Sequence, residues 1–138
     1  MKIDILNEII QDFLNNTDFA TFIDEAEMRS ELAQKIREAD LDVEEEKTIT
    51  TKDDETYRVD IVVSFDSQAI PIELKFENTS IDEYKEDEEK CNTYLDNFSD
   101  VDKAYCIFVS NVNHQNYYEG EWHVCQGNED YHYLWLEF

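Results

Sequence analysis

Two short runs in which apolar residues strictly alternate, within residues 58–77, constrain the fold of this chain more than any other feature. A period of two places successive side chains on opposite faces of a strand. The sequence therefore predicts a β-hairpin with one buried face. The residues expected on that face are Val59, Ile61, Val63 and Phe65 of the first run and Ile70, Ile72, Leu74 and Phe76 of the second.

The other face of the hairpin gathers charged side chains. With a turn centred on Asp66-Ser67, the carboxylates of Asp60 and Glu73 fall directly across from each other on neighbouring strands. Like charges in that arrangement repel unless something cationic lies between them, so we expect a divalent metal there with Lys75 beside it. The alternative is a half-solvated hairpin whose polar face simply contacts water. The expected cross-strand pairs are Phe65 with Gln68, Val63 with Ile70, Asp60 with Glu73, and Arg58 with Lys75.

A family resemblance is carried by two segments of this hairpin. Asp60, a gap of twelve residues and then Glu73-Leu74-Lys75 resembles the D…ExK core of the PD-(D/E)XK nuclease superfamily. The resemblance implies that Asp60 and Glu73 hold Mg²⁺ or Mn²⁺, and that Lys75 orients the attacking water or stabilises the developing charge as DNA is hydrolysed. Pro71 departs from the pattern, because proline cannot donate to a strand ladder, and a bulge or an edge position is expected there.

The remaining segments predict three helices and several further strands. Apolar residues recur at helical spacing in residues 3–14 and in residues from about 18 to 40, which predicts the first two helices. An interruption of the second helix is expected near Asp24. Ser80 and Glu83 form a capping box, which predicts that a third helix starts there. The other predicted strands are residues 43–51, an almost wholly apolar run within 103–112 that suits burial on both faces, and two short aromatic-rich edge strands within 121–138.

The predicted order of elements is helix, three strands, helix and strand, with an extra N-terminal helix and additional C-terminal strands. This order matches the αβββαβ core of the same superfamily. We therefore expect a restriction-endonuclease-like α/β fold, an α+β sandwich in which helices flank a mixed central sheet. With 138 residues the chain is long enough for one core and too short for two, so residues 1–138 are expected to form a single domain.

A further carboxylate is expected on the first core helix. Many members of the superfamily carry a Glu there that is aimed at the same metal, so the resemblance implies one more site residue. Glu25 is the first choice, because it shares the apolar helical stripe that begins at Met28 and should face the sheet. Glu27 and Glu31 are the alternatives, and all three could instead belong to an acidic outer face.

Acidic residues dominate the composition: 35 Asp and Glu against 11 Lys and Arg give a formal net charge of -24. Such a surface repels nucleic acid. One explanation is adaptation to a salty, halophilic cytoplasm, where molar salt shortens the Debye length to about 3 Å and removes the repulsion. The other is DNA mimicry, which leads to an alternative function: a non-catalytic acidic binding module on the same fold that binds a protein partner. A purely structural domain of a larger complex is a third hypothesis.

The location and the state of the cysteines are also predicted from the sequence. No apolar run is long enough to span a bilayer, and Met1-Lys2-Ile3-Asp4 lacks the features of a signal peptide, so we expect a cytoplasmic protein without a membrane partner. Cys91, Cys106 and Cys125 are widely separated and odd in number, which indicates free, mostly buried thiols. The oligomeric state is left open, a homodimer included.

Overall fold

The computed structural model describes residues 1–22, 24–76, 81–110, 121–122 and 131–138. The helices are α1 (Lys2–Asn16), α2 (Glu25–Glu38) and α3 (Ile81–Asn97), with a 3₁₀ turn at Phe19–Thr21 before α2. The strands are β1 (Asp42–Thr50), β2 (Thr56–Phe65), β3 (Gln68–Phe76), β4 (Tyr105–Ser110), β5 (Glu121–Trp122) and β6 (His132–Glu137).

The strands form one mixed sheet in the order β1-β2-β3-β4-β6-β5. β3 and β4 run parallel to each other, and every other neighbouring pair is antiparallel. Apolar residues of α1 and α2 pack on one face of this sheet, and those of α3 pack on the other. The described residues therefore have an α+β architecture, in which both faces of the central strands are covered. β4 is buried at all six positions, as the sequence predicts.

Local sequence signals explain where the first two helices lie. In α1 the buried residues recur at helical spacing, and in α2 the same pattern gives an apolar stripe. Asp24 adopts an extended backbone, and its side chain accepts a hydrogen bond from the amide of Glu27 at 3.0 Å. This N-cap begins α2 and confirms the predicted interruption near Asp24. The predicted capping residue of α3, Ser80, lies outside the described residues.

The hairpin of β2 and β3 confirms the predicted turn and the first part of the predicted register. Asp66 and Ser67 have positive φ values of 49° and 63°, which is the geometry of a two-residue hairpin turn. Phe65 pairs with Gln68, and Val63 pairs with Ile70. The ladder then ends at the pair Ile61 and Ile72. The predicted pairs of Asp60 with Glu73 and Arg58 with Lys75 are wrong as ladder pairs, although both strands continue beyond that point.

A local distortion of β2 at Asp60 is the physical reason. The carboxylate of Asp60 accepts a hydrogen bond from the backbone amide of Leu74 at 2.8 Å, so a side chain replaces the backbone partner. On β1, the strand on the other side of β2, Glu46 has a positive φ of 50° and is missing from the β1–β2 ladder. The alternation breaks at the same point: Val59 packs beneath α3, whereas Ile61 packs beneath α1 and α2. The prediction that these two side chains share a face is therefore wrong.

The topology tests two other predictions about the strands. β6 is an interior strand between β4 and β5, so only β5 of the two predicted edge strands lies at an edge. The aromatic residues Tyr133 and Trp135 of β6 are buried in the core under α1 and α2. Pro71 pairs with Val62 without a bulge, and pairing with β4 starts one residue later, at Ile72. Pro71 therefore has β2 on one side and, among the described residues, no ladder partner on the other, which agrees with the edge position that was the second possibility. None of the described helices is long and apolar enough to cross a membrane.

Candidate functional site

Glu73 lies at the centre of the sheet, on β3 between β2 and β4. Its neighbours Ile72 and Leu74 point to the core under α1 and α2, so alternation directs Glu73 to the α3 face. Its side chain is 1% exposed, and the hydroxyl of Tyr94 on α3 donates a hydrogen bond to Oε1 at 2.6 Å. Burial, and then the charge of Asp60, raise the pKa of Glu73 well above its ordinary value.

Asp60 lies beside Glu73 even though the two residues are not ladder partners. The distortion of β2 places Asp60 where the β2–β3 ladder has ended, and its bond to the amide of Leu74 ties it to β3. After burial, the charge of Asp60 is the largest cause of the raised pKa of Glu73. The carboxyl groups of Asp60 and Glu73 thus lie close together at the centre of the sheet, as predicted. They are brought together by the distortion of β2 and not by a ladder pair.

Lys75 is the next residue of β3 whose side chain faces α3. Its amine Nζ lies 3.5 Å from Oδ2 of Asp87, and the side chain is 22% exposed. Burial acts to lower the pKa of Lys75, but the negative charges of Asp87, Glu25 and Asp60 outweigh it and raise the pKa. Lys75 therefore carries its positive charge at the edge of the carboxyl pair.

Glu25 reaches the same cluster from the first turn of α2. The residue is half-buried, and its pKa is raised to about 7 by burial, with the charges of Asp60 and Asp87 adding to the effect and Lys75 opposing it. Glu27 and Glu31, the alternative residues, are exposed. Of the three glutamates that the sequence offered, Glu25 is thus the one whose pKa responds to the charges of Asp60, Lys75 and Asp87.

Asp87 joins the site and was missed from the sequence, because the charged residues of the third predicted helix, Lys85 to Lys90, are most simply interpreted as a solvated face. It is 1% exposed, and burial raises its pKa to about 6 while Lys75 and Lys90 oppose the rise. A signal was available in the sequence. Asp87 stands three residues after Tyr84 and four before Cys91, so it lies in the buried stripe of α3.

Five side chains from four elements therefore face one another: Glu25, Asp60, Glu73, Lys75 and Asp87. No family model and no curated protein matches the chain.

The donor set of the Asp60–Glu73 pair fits a hard divalent cation. Mg²⁺ is usually held by one or two carboxylates together with water. The pair offers carboxylate oxygens in a buried place where the two charges repel each other when both groups are ionised, and the amine of Lys75 forms its ion pair with Asp87. In this conformation no three carboxylate, imidazole or thiolate groups of the described residues are arranged to hold an ion. The pair, rather than a closed protein cage, is the part of the site that suits Mg²⁺ or Mn²⁺.

The other candidate side chains lie apart from this cluster. Cys91 and Cys106 are free and buried on the α3 face, with their sulfur atoms 3.3 Å apart, which confirms the prediction for two of the three thiols. Cys125 lies outside the described residues. The aromatic side chains Tyr131, Tyr133 and Trp135 are buried in the core, so they offer no exposed surface on which a base could stack.

Proposed function

We propose that this protein is a Mg²⁺-dependent nuclease that hydrolyses phosphodiester bonds in DNA, on a restriction-endonuclease-like αβββαβ core. The order α2, β1, β2, β3, α3, β4, with β3 and β4 parallel, supports the proposed core. The observation that carries the proposal is the convergence of Asp60, Glu73 and Lys75 at the point where the β2–β3 ladder ends.

The resemblance to the superfamily implies a role for each of these residues. Asp60 and Glu73 would hold the metal, which when bound supplies Lewis acidity and neutralises charge on the phosphate. Glu73 has a raised pKa in the metal-free protein, so metal binding must compete with a proton. Lys75 orients the attacking water and offsets negative charge that develops on the phosphate. Glu25 contributes a third carboxyl group, whose pKa the charge of Asp60 raises.

Cleavage assays with matched variants test this proposal. Plasmid and single-stranded DNA are incubated with Mg²⁺ or Mn²⁺ at low salt and in molar KCl, because a net charge of -24 opposes DNA binding at low salt. Asp60→Asn and Glu73→Gln should abolish cleavage. Lys75→Ala should bind metal in calorimetry but lose turnover. Glu27→Gln, which removes an exposed acid from α2, should cleave like wild type.

Two results would count against the nuclease. If the wild type cleaves neither substrate under any of these conditions and calorimetry detects no metal binding, the fold has no phosphodiesterase chemistry. Equal cleavage by wild type, Asp60→Asn and Glu73→Gln would instead show that a contaminant or another site is responsible.

The strong acidity favours one second candidate, a non-catalytic binding module that imitates DNA toward a protein partner. The excess of 24 negative charges supports it, since a mimic needs dense negative charge and no catalysis. Binding to a DNA-binding protein that is competed by duplex DNA, in a wild type without cleavage, would favour this function over the nuclease.

A further inference from the structure

Asp87 is a buried acid that the requirements of packing do not explain. It occupies the inner stripe of α3, between Tyr84 and Cys91, at a position where an apolar residue would fill the core. A carboxylate in such a place costs stability unless cationic partners compensate for it. A buried acid with a strongly perturbed pKa that faces a cluster of charged groups is typical of a functional position.

Two lysines lie on opposite sides of the Asp87 carboxylate. Nζ of Lys90 lies 3.7 Å from Oδ1, and Nζ of Lys75 lies 3.5 Å from Oδ2. Lys90 belongs to the same helix, whereas Lys75 belongs to β3. Oδ2 is buried, and its contact with Lys75 is an ion pair without the geometry of a hydrogen bond. Asp87 therefore connects α3 electrostatically to the strand that carries Glu73 and Lys75.

Lys75 needs such a contact if its amine is to act at a fixed point. A lysine has a flexible four-carbon stem and a compact charge, so its amine is held in one place only by its partners. Within the described part of the chain, the one ion pair of Lys75 is the pair with Asp87. Removal of that carboxylate leaves the stem of Lys75 with more freedom to move away from the Asp60–Glu73 pair.

We propose that Asp87 is a positioning residue, which holds the amine of Lys75 from α3 beside the Asp60–Glu73 pair. The inference rests on the proposed nuclease function for its catalytic consequence. Asp87 acts through Lys75, so its removal should affect turnover and leave the metal ligands in place. Displacement of a reacting group by about 1 Å can cost on the order of 100-fold in rate. We expect a loss of this order in kcat for Asp87→Asn, with KM changed less than about twofold.

A double-mutant cycle isolates the dependence on Lys75. Asp87→Asn is measured in the wild type and in Lys75→Ala, with Mg²⁺ and a DNA substrate that the wild type cleaves. If Asp87 acts through Lys75, its substitution in the Lys75→Ala background should lower kcat by less than about twofold. Glu86→Gln, which removes an exposed acid from the neighbouring position of α3, is the matched control and should leave kcat unchanged. Asp87→Glu keeps the charge and should recover kcat to within about tenfold of wild type.

A second readout does not need activity. Side-chain order of Lys75 is measured by NMR relaxation of its terminal methylene group in the metal-free protein. The order should fall in Asp87→Asn and stay at the wild-type value in Glu86→Gln. If Asp87→Asn does not fold, as judged by circular dichroism, Lys75 is compared between wild type and Asp87→Glu, whose longer side chain should measurably shift its resonances.

The outcomes separate this inference from the proposed function. A wild type that cleaves no DNA refutes the nuclease, and the NMR measurement then decides the positioning role alone. Unchanged order of Lys75 in Asp87→Asn, or unchanged Lys75 resonances in Asp87→Glu, would overturn the inference. Equal losses of kcat from Asp87→Asn in both backgrounds would also overturn it, because they would show a general structural effect that does not pass through Lys75.

Discussion

Replacement of Glu25 by Gln should stabilise the metal-free protein at neutral and higher pH. The carboxyl group of Glu25 is half-buried and faces Asp60 and Asp87, with Lys75 and Arg29 as the opposing cations. Its pKa rises from 4.5 to about 7 on folding. The folded state therefore binds this proton more tightly than the unfolded chain does, and stability falls as the pH rises from about 4.5 through about 7.

The size of the effect follows from the rise in pKa. One pKa unit corresponds to about 1.4 kcal/mol, so the rise to about 7 limits the amount by which ionised Glu25 lowers the free energy of unfolding to roughly 3 kcal/mol. Glu25 is partly exposed, and solvent screening reduces the effect. We expect Glu25→Gln to gain about 1 to 2 kcal/mol at pH 8 and almost nothing at pH 4.

Urea denaturation of metal-free protein at pH 4 and pH 8 measures this difference. Glu27→Gln is the matched control, since it removes an equal charge from an exposed position in the first turn of the same helix. The comparison cancels the effect on overall net charge and most of the effect on the helix dipole. If the two variants have the same free energy of unfolding at both pH values, Glu25 does not face the buried carboxylates in solution, and the geometry of the site is wrong.

Three further predictions concern stability. Asp60→Ala should lower the free energy of unfolding, measured by urea denaturation, by about 1 to 3 kcal/mol, because the amide of Leu74 loses its acceptor. Asp60→Asn keeps an oxygen that can accept this bond and should not show the loss. Equal losses in the two variants would refute a role for the bond. Burial acts to raise the pKa of Glu45, but hydrogen bonds from Arg37 and Arg29 lower it, so the contribution of Glu45 is present above pH about 4.5 and lost as the pH falls. Glu45→Gln should therefore destabilise at pH 7 by up to about 1 kcal/mol and have little effect at pH 3. Finally, the melting temperature should climb between low salt and molar KCl, because exposed charges repel less as salt rises; a flat response would favour a local, functional acidity.

The alternation of apolar residues was enough to predict the hairpin, its turn and its register near the turn. Each of these depends on neighbours in sequence: Asp66 and Ser67 set the turn, and a period of two sets the faces. The break at Asp60 could not be predicted in this way. It depends on a bond from the side chain of Asp60 to the amide of Leu74, fourteen residues away, which competes with the strand ladder.

Contacts between residues far apart in sequence also explain the two other errors. The position of β6 inside the sheet is set by pairing with β4, more than twenty residues earlier, and aromatic content alone does not distinguish an edge strand from an interior one. Asp87 was assigned to solvent because it is charged. Its helical phase placed it in the core stripe, and its pairing with Lys75 becomes visible only once α3 lies across β3.

The most direct test of the central claim is a crystal of the protein soaked in Mn²⁺, with anomalous diffraction measured for the metal. We predict a single strong peak between the carboxylates of Asp60 and Glu73, with metal to oxygen distances of about 2.0 to 2.3 Å. The same soak of Glu73→Gln should show no peak at that position. A wild-type crystal with saturating Mn²⁺ and no peak between these two carboxylates would contradict the proposed metal site and the nuclease activity that depends on it.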